Sequence, residues 1–207
     1  MPAAPRPVSG AHPRTTPHFD VRGSFAHLAW SLVDGMQDNP GAAVEQAVAS
    51  SLELVGTWLA WDGSPRVSSD GDRIYTPHKA VRRIADHLVD HLAEVEALLA
   101  GVPTEPDRWH ASLVTLDSDW ARFTEADRDE AGQRLARLAR TFSLRLAAAG
   151  PGEWDVPRGE NWTLREIADH LTGVLWYAEQ VGDLGRTDSP EVRAHLLPLS
   201  GSPAPIV

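Results

Sequence analysis

Apolar residues recur along most of the chain at spacings of three and four, which places them on one face of an α-helix. From Asp20, a good N-cap, the positions Phe25, Leu28, Ala29, Leu32, Val33 and Met36 share a face, predicting a helix over about 20–37. "DNPG" (38–41) stops it, and Pro40 suits the start of the next, over about 41–61, with Val44, Ala47, Val48, Val55, Trp58 and Leu59 on one side. "DGSPRVSSDGD" (62–72) has loop composition. Thr76-Pro77 is an N-cap followed by proline at the first helical position, and Gly101 and Pro103 close a helix over about 77–100. An irregular connection over about 101–123 includes Trp109 and Trp120. "TEAD" (124–127) has capping-box form and opens a helix to about 149, which buries Ala131, Leu135, Leu138, Phe142 and Leu146 and breaks at "GPG" (150–152). Thr163 with Glu166 is a second capping box, opening a last helix over about 163–184. No stretch alternates as a strand does. The pattern predicts an all-α protein: an antiparallel four-helix bundle with an additional N-terminal helix.

The ends of the chain read differently. Residues 1–18 are proline-rich without periodicity, and prolines 190, 198, 203 and 205 punctuate the stretch from Thr187, where "EVRAHLL" has room for one short helical turn. The expected organisation is a disordered tail over 1–18, one helical domain over 19–186 and a loosely ordered tail over 187–207.

Composition narrows the function. Apolar residues make up 42 % of 207, enough for a sizeable core. The formal net charge of −10 argues against a nucleic-acid partner, which needs a basic face, and against docking on anionic lipid. No window reaches the apolar length of a membrane span, and no secretory signal is visible, so the expected compartment is the cytoplasm. Without cysteine there are no disulfides, thiolate ligands or cysteine nucleophile.

Chemistry concentrates in histidines. "RRIADHLVDHLAEVEALLAG" (82–101) carries His87 and His91 one helical turn apart, and "REIADHL" (165–171) repeats the IADHL core and adds His170. At 100° per residue, Ile84, Leu88, Val95, Leu98 and Leu99 centre the apolar stripe of the first helix; His91 falls inside it and His87 on its edge, with Glu94 beside His87. Asp86 and Asp90 are expected to face solvent. On the last helix His170 lies at the margin of the stripe Leu164, Ile167, Leu171, Val174 and Ala178, with Tyr177 as an expected neighbour and Asp169 facing out. A histidine on an apolar face is more often a packing residue than a ligand, and an HxxxH pair is weak by itself. Yet an i, i+4 pair on one face can chelate a single ion, and the repeated core lets two helices present histidines from facing walls.

"EWDVPRGENWTLREIADHL" (153–171) resembles the signature of the DinB/YfiT-like superfamily, in which a tryptophan ahead of a helix is followed by an acidic residue, an aliphatic residue and histidine-leucine. "HLVDHLAEVEALL" resembles the family's HxxxH helix. The family order places the HxxxH helix second, whereas here it comes first, which implies either a permuted helix order or a different matching of the helices. The resemblance, over about 41–185, implies a four-helix bundle that binds a divalent metal through three histidines, or two histidines and a carboxylate, here His87, His91 and His170; imidazole ligands suit zinc or nickel. The superfamily includes mycothiol-dependent maleylpyruvate isomerase and other thiol-dependent transferases. The implied activity is therefore transfer or isomerisation on a small molecule, with a low-molecular-weight thiol as a further cofactor.

Two other readings remain open: a non-catalytic, stress-related binding or dimerisation module with structural histidines, which would make a homodimer the partner, and a metal-activated hydrolase in which water replaces the thiol. Glu94 reads either as an alternative ligand or as the acceptor for a histidine N–H. His78 at a helix start and His27 opposite an apolar face are expected to be solvated, and His12, His18 and His195 fall in the tails. Trp154 and Trp162 are expected to pack at the start of the last helix, and "DRDE" (127–130) to form a solvated first turn that suits the helix dipole.

Overall fold

The structure, a computed structural model, describes residues 39–105 and 113–185. The expected helix over 20–37, both tails, Trp109 and the histidines at 12, 18, 27 and 195 lie outside the described residues.

Helix α1 spans Gly41–Val55. Its start is tied by Asn39, whose Oδ1 accepts from Gly41 N–H at 3.0 Å while Nδ2 donates to the Ser143 carbonyl at 2.9 Å. Sequence spacing carries this helix to residue 61; instead the ladder tightens after Gly56, and a 3₁₀ turn runs over Trp58–Ala60. The Thr57 hydroxyl donates to the Leu54 carbonyl at 2.7 Å, a local bond that competes with the α-ladder. Trp58 is buried and its indole N–H donates to the Gly182 carbonyl at 2.9 Å.

The segment expected as a plain loop contains a small antiparallel hairpin, β1 Arg66–Val67 and β2 Ile74–Tyr75, in the register Arg66↔Tyr75 and Val67↔Ile74. Strands of two residues are too short to show alternation, so the sequence pattern could not announce them. A turn closed by Gly71 N–H on the Ser68 carbonyl (2.8 Å) joins them, with Gly71 at φ 79°.

Helix α2, Pro77–Ala100, has the expected bounds. Thr76 caps it by accepting from Lys79 N–H at 3.3 Å. At the other end Gly101 adopts φ 67°, and the N–H groups of Gly101 and Val102 bond the carbonyls of Leu98 and Ala97, the Schellman arrangement. The connection that follows includes a 3₁₀ turn, Asp117–Trp120. Buried Asp119 bolts it to α2: its carboxylate accepts from Arg82 at 2.7 and 3.2 Å and from Leu116 N–H at 2.8 Å.

Helix α3, Glu125–Ala149, opens on the Thr124–Asp127 capping box and buries Ala131, Leu135, Ala139, Phe142, Ser143 and Leu146; Leu138 is only partly buried. "GPG" breaks it, and Pro151 starts a one-turn helix, α4, Pro151–Trp154, as proline at a first helical position can. Trp154 is buried and donates to the Leu146 carbonyl at 2.9 Å.

The expected last helix is divided. α5 spans Leu164–Leu171, a 3₁₀ turn covers Thr172–Val174, and α6 runs Leu175–Val181. The chain keeps right-handed helical dihedrals throughout. The Thr172 hydroxyl donates to the Asp169 carbonyl at 2.7 Å next to Gly173, and both features weaken a regular α-ladder.

Among the described residues the regular secondary structure is helical apart from the hairpin and one isolated bridge. α1 packs on α3 and α6, and α2 packs on α3, α5 and α6, around one core in which Val48, Ile84, Leu88, Leu135, Phe142, Ile167 and Leu171 are buried. No helix among them is long and apolar enough to cross a membrane.

Candidate metal centre

The site forms where α2 meets α5. The four-residue spacing of His87 and His91 puts both on the flank of α2 beside the buried stripe Ile84, Leu88, Val95. α5 buries Ile167, Ala168 and Leu171, which turns His170, in its last turn, towards α2. The three imidazole centroids form a nearly equilateral triangle, 4.8 Å from His87 to His91 and 4.9 Å from each of these to His170. One ring nitrogen from each lies within 4.8 Å of the others. Nitrogens no farther apart than that sit at most about 2.8 Å from their common centre, so reaching the 2.0–2.1 Å of a zinc–imidazole bond takes a movement of at most about 0.7 Å each, within side-chain rotation. The donor set, three imidazoles without thiolate, suits zinc or nickel.

The rings are held by neighbours. His91 Nδ1 lies 2.7 Å from Glu94 Oε2. A carboxylate has no hydrogen to give, so Nδ1–H donates, and in the neutral ring Nε2 keeps the lone pair. Trp162, just ahead of the last helix as expected, is 44 % exposed and lies against the histidines, stacked on His91 at 6.1 Å and 4.8 Å from His170. Trp154 does pack inside, with the Arg165 guanidinium 5.6 Å over its ring. Tyr177 stands beside His87, at 5.8 Å between centroids, and accepts a 3.3 Å bond from buried Arg83, which also lies over its ring.

Burial lowers the pKa of His170, and the charge of a protonated His91 lowers it further, against a smaller opposing pull from Glu94. The residue as a whole is exposed, but its ring is crowded by His87, His91 and Trp162, and that crowding displaces water from the nitrogens. The shift favours the neutral, ligating form.

Three expectations change. Asp86 and Asp90 do not face open solvent: both are half-buried, and Asp86 lies 3.8 Å from Arg82 and 3.7 Å from Arg83. Burial pushes its carboxyl upward against the pull of both arginines. His78 is not solvated: its ring packs on Phe123 at 5.2 Å, and its buried Nε2 is 3.8 Å from Asp127, with no hydrogen-bond partner among the described residues. A cavity of about 290 Å³ opens beside it, lined also by Arg82, Asp119, Phe123 and Glu130; none of His87, His91 and His170 lines it. In "DRDE" Asp129 and Glu130 are exposed as expected while Asp127 is half-buried, and Thr124 holds its carboxyl below the usual range. Asp169 is exposed as expected.

Sequence reasoning missed Arg83 and Lys79. Both lie on the His87 flank, one and two turns before it, and that phase was the available signal. Lys79 is fully buried; its Nζ donates to Thr115 Oγ1 at 3.0 Å and stands 5.2 Å from the Tyr75 ring centre.

Comparison with known proteins gives no matching family model, no matching curated protein and no matching solved structure.

Proposed function

We propose that the protein is a DinB-like, antiparallel four-helix-bundle protein that binds a divalent metal, zinc or nickel, through His87, His91 and His170, and uses it in a transferase or isomerase reaction on a small molecule with a low-molecular-weight thiol. The observation that carries the metal reading is the convergence of three imidazoles from two helices far apart in sequence. Packing alone gives no reason for three basic rings to meet where one edge is open to water. An ion held by these three residues would polarise an oxygen or lower the pKa of a bound water or thiol. The chain's own residues prepare the place: α2 sets the HxxxH pair, the Thr163 cap sets α5, and Trp162 shields one side of His91 and His170 from water. The nature of the reaction rests on the sequence resemblance.

The test is metal content by elemental mass spectrometry, with thermal midpoints, in wild type, His91→Ala and Leu88→Ala after exposure to zinc or nickel. His91→Ala is expected to lose the ion while the metal-free protein stays folded. Leu88→Ala, a core truncation costing about 2–5 kcal/mol, should lower the midpoint but keep the metal under conditions where it is folded. Wild type without metal, or a His91 variant with unchanged content, would sink the reading and favour histidines that serve only to pack.

A further inference from the structure

The three histidines differ in how they are held. His91 has a carboxylate on one ring nitrogen and an indole stacked on its face; the carboxylate belongs to Glu94, three residues on along α2 and half-buried. We propose that Glu94 is the positioning residue of this site, fixing the His91 tautomer and ring plane so that Nε2 is presented to a metal ion. The proposal rests on reading the triad as a metal centre.

A free neutral imidazole in water favours the proton on Nε2, which would leave the lone pair on Nδ1, the nitrogen that faces Glu94. A carboxylate 2.7 Å from Nδ1 reverses that preference, because only Nδ1–H can donate to it. The same bond restrains rotation of the ring about the Cβ–Cγ axis, with Trp162 against the face. Electron density drawn from the carboxylate makes Nε2 the stronger donor.

One observation separates positioning from direct ligation: the group of mutually close ligand atoms among the described residues contains His87, His91 and His170 but not Glu94. Among the described residues no lysine or arginine forms an ion pair with Glu94, so no cation competes with His91 for its carboxylate.

The test uses the full chain as wild type, Glu94→Ala and Glu94→Gln. Zinc affinity is measured by competition with a chromophoric chelator, the visible spectrum is taken with cobalt in place of zinc, and the His91 tautomer is read by ¹⁵N NMR of the metal-free protein. Glu94→Ala should bind zinc about 10–100-fold more weakly, with the position and intensity of the cobalt bands kept. Its His91 proton should move from Nδ1 towards Nε2. Glu94→Gln, whose amide oxygen still accepts from Nδ1–H, should recover most of the lost affinity. Glu94 is half-exposed, and circular dichroism controls for folding.

Equal affinity in wild type and Glu94→Ala overturns the proposal. So does equal loss in both variants together with altered cobalt bands, which makes Glu94 a ligand. Wild type that binds no zinc overturns the metal reading itself, and Glu94's role with it, and is recognised by failing before any substitution is made.

Discussion

Lys79 takes a positive charge into the interior, and among the described residues its side chain has one recorded hydrogen bond, to Thr115, and the face of Tyr75. Burial lowers its pKa, and Arg82 nearby adds to the effect. The sign follows from proton counting. Between the lowered folded value and the ordinary value of the unfolded chain, the unfolded state holds more protons, so stability rises with pH there. Below that window the cost of the buried charge is present in full. Lys79→Met, of similar length, should therefore raise stability at neutral pH by about 1 kcal/mol, and the gain over wild type should shrink at alkaline pH. Urea denaturation at the two pH values checks both parts; a less stable Met variant at neutral pH would mean that the ammonium group is needed where it lies. At this scale sequence phase was informative about which residues share a flank of α2, and it found His87, His91 and Glu94 together. It could not tell that Asp86 would be half-buried beside Arg82 and Arg83, or that His78 would pack on Phe123, because those outcomes depend on neighbours supplied by distant parts of the chain.

Helix boundaries were legible wherever a local bond sets them. The caps at Thr76, Thr124 and Thr163 all form as their sequences predict, and Gly101 ends α2 in the left-handed conformation. Boundaries set by competition were not: Thr57 and Thr172 draw carbonyls out of the α-ladder through short side-chain bonds that periodicity does not register. The caps also allow a comparison between elements. Thr163 and Glu166 bond reciprocally, at 3.2 Å from Glu166 N–H to the hydroxyl and 2.8 Å from Thr163 N–H to the carboxylate, and these bonds hold Glu166 below the usual carboxylate range. α5 is eight residues long, with Trp162 just before the cap and His170 in its last turn. Thr163→Ala should cost about 1 kcal/mol and also weaken zinc binding, whereas Thr124→Ala in α3 should cost about as much and leave it unchanged. Calorimetry with a zinc titration of both variants is the check; equal effects on zinc would separate the site from the α5 cap.

For the molecule as a whole, helical character was evident from spacing alone, while the way helices approach one another was not. Gly41 illustrates why. A Cβ there would stand 2.5 Å from the Cα of Ser143, so α1 and α3 come together at a point where only glycine fits, and Asn39 bridges the same contact. Nothing in the local sequence distinguishes this glycine from an ordinary helix start. Gly41→Ala should destabilise by about 1–3 kcal/mol despite alanine's better helix propensity, with metal stoichiometry unchanged; a denaturation midpoint at or above that of wild type would show that the two helices can separate freely. The placement of the histidines has a wider consequence. His91 and His170 lie on opposite sides of the whole of α3 and α4 in the chain. An ion held by both would act as a removable cross-link, closing a long loop that is otherwise held by packing and by single side-chain bonds such as Arg83 to Tyr177. The lifetime of the folded chain would then follow the metal supply of its surroundings, with protein starved of metal the first to open and the first to be degraded.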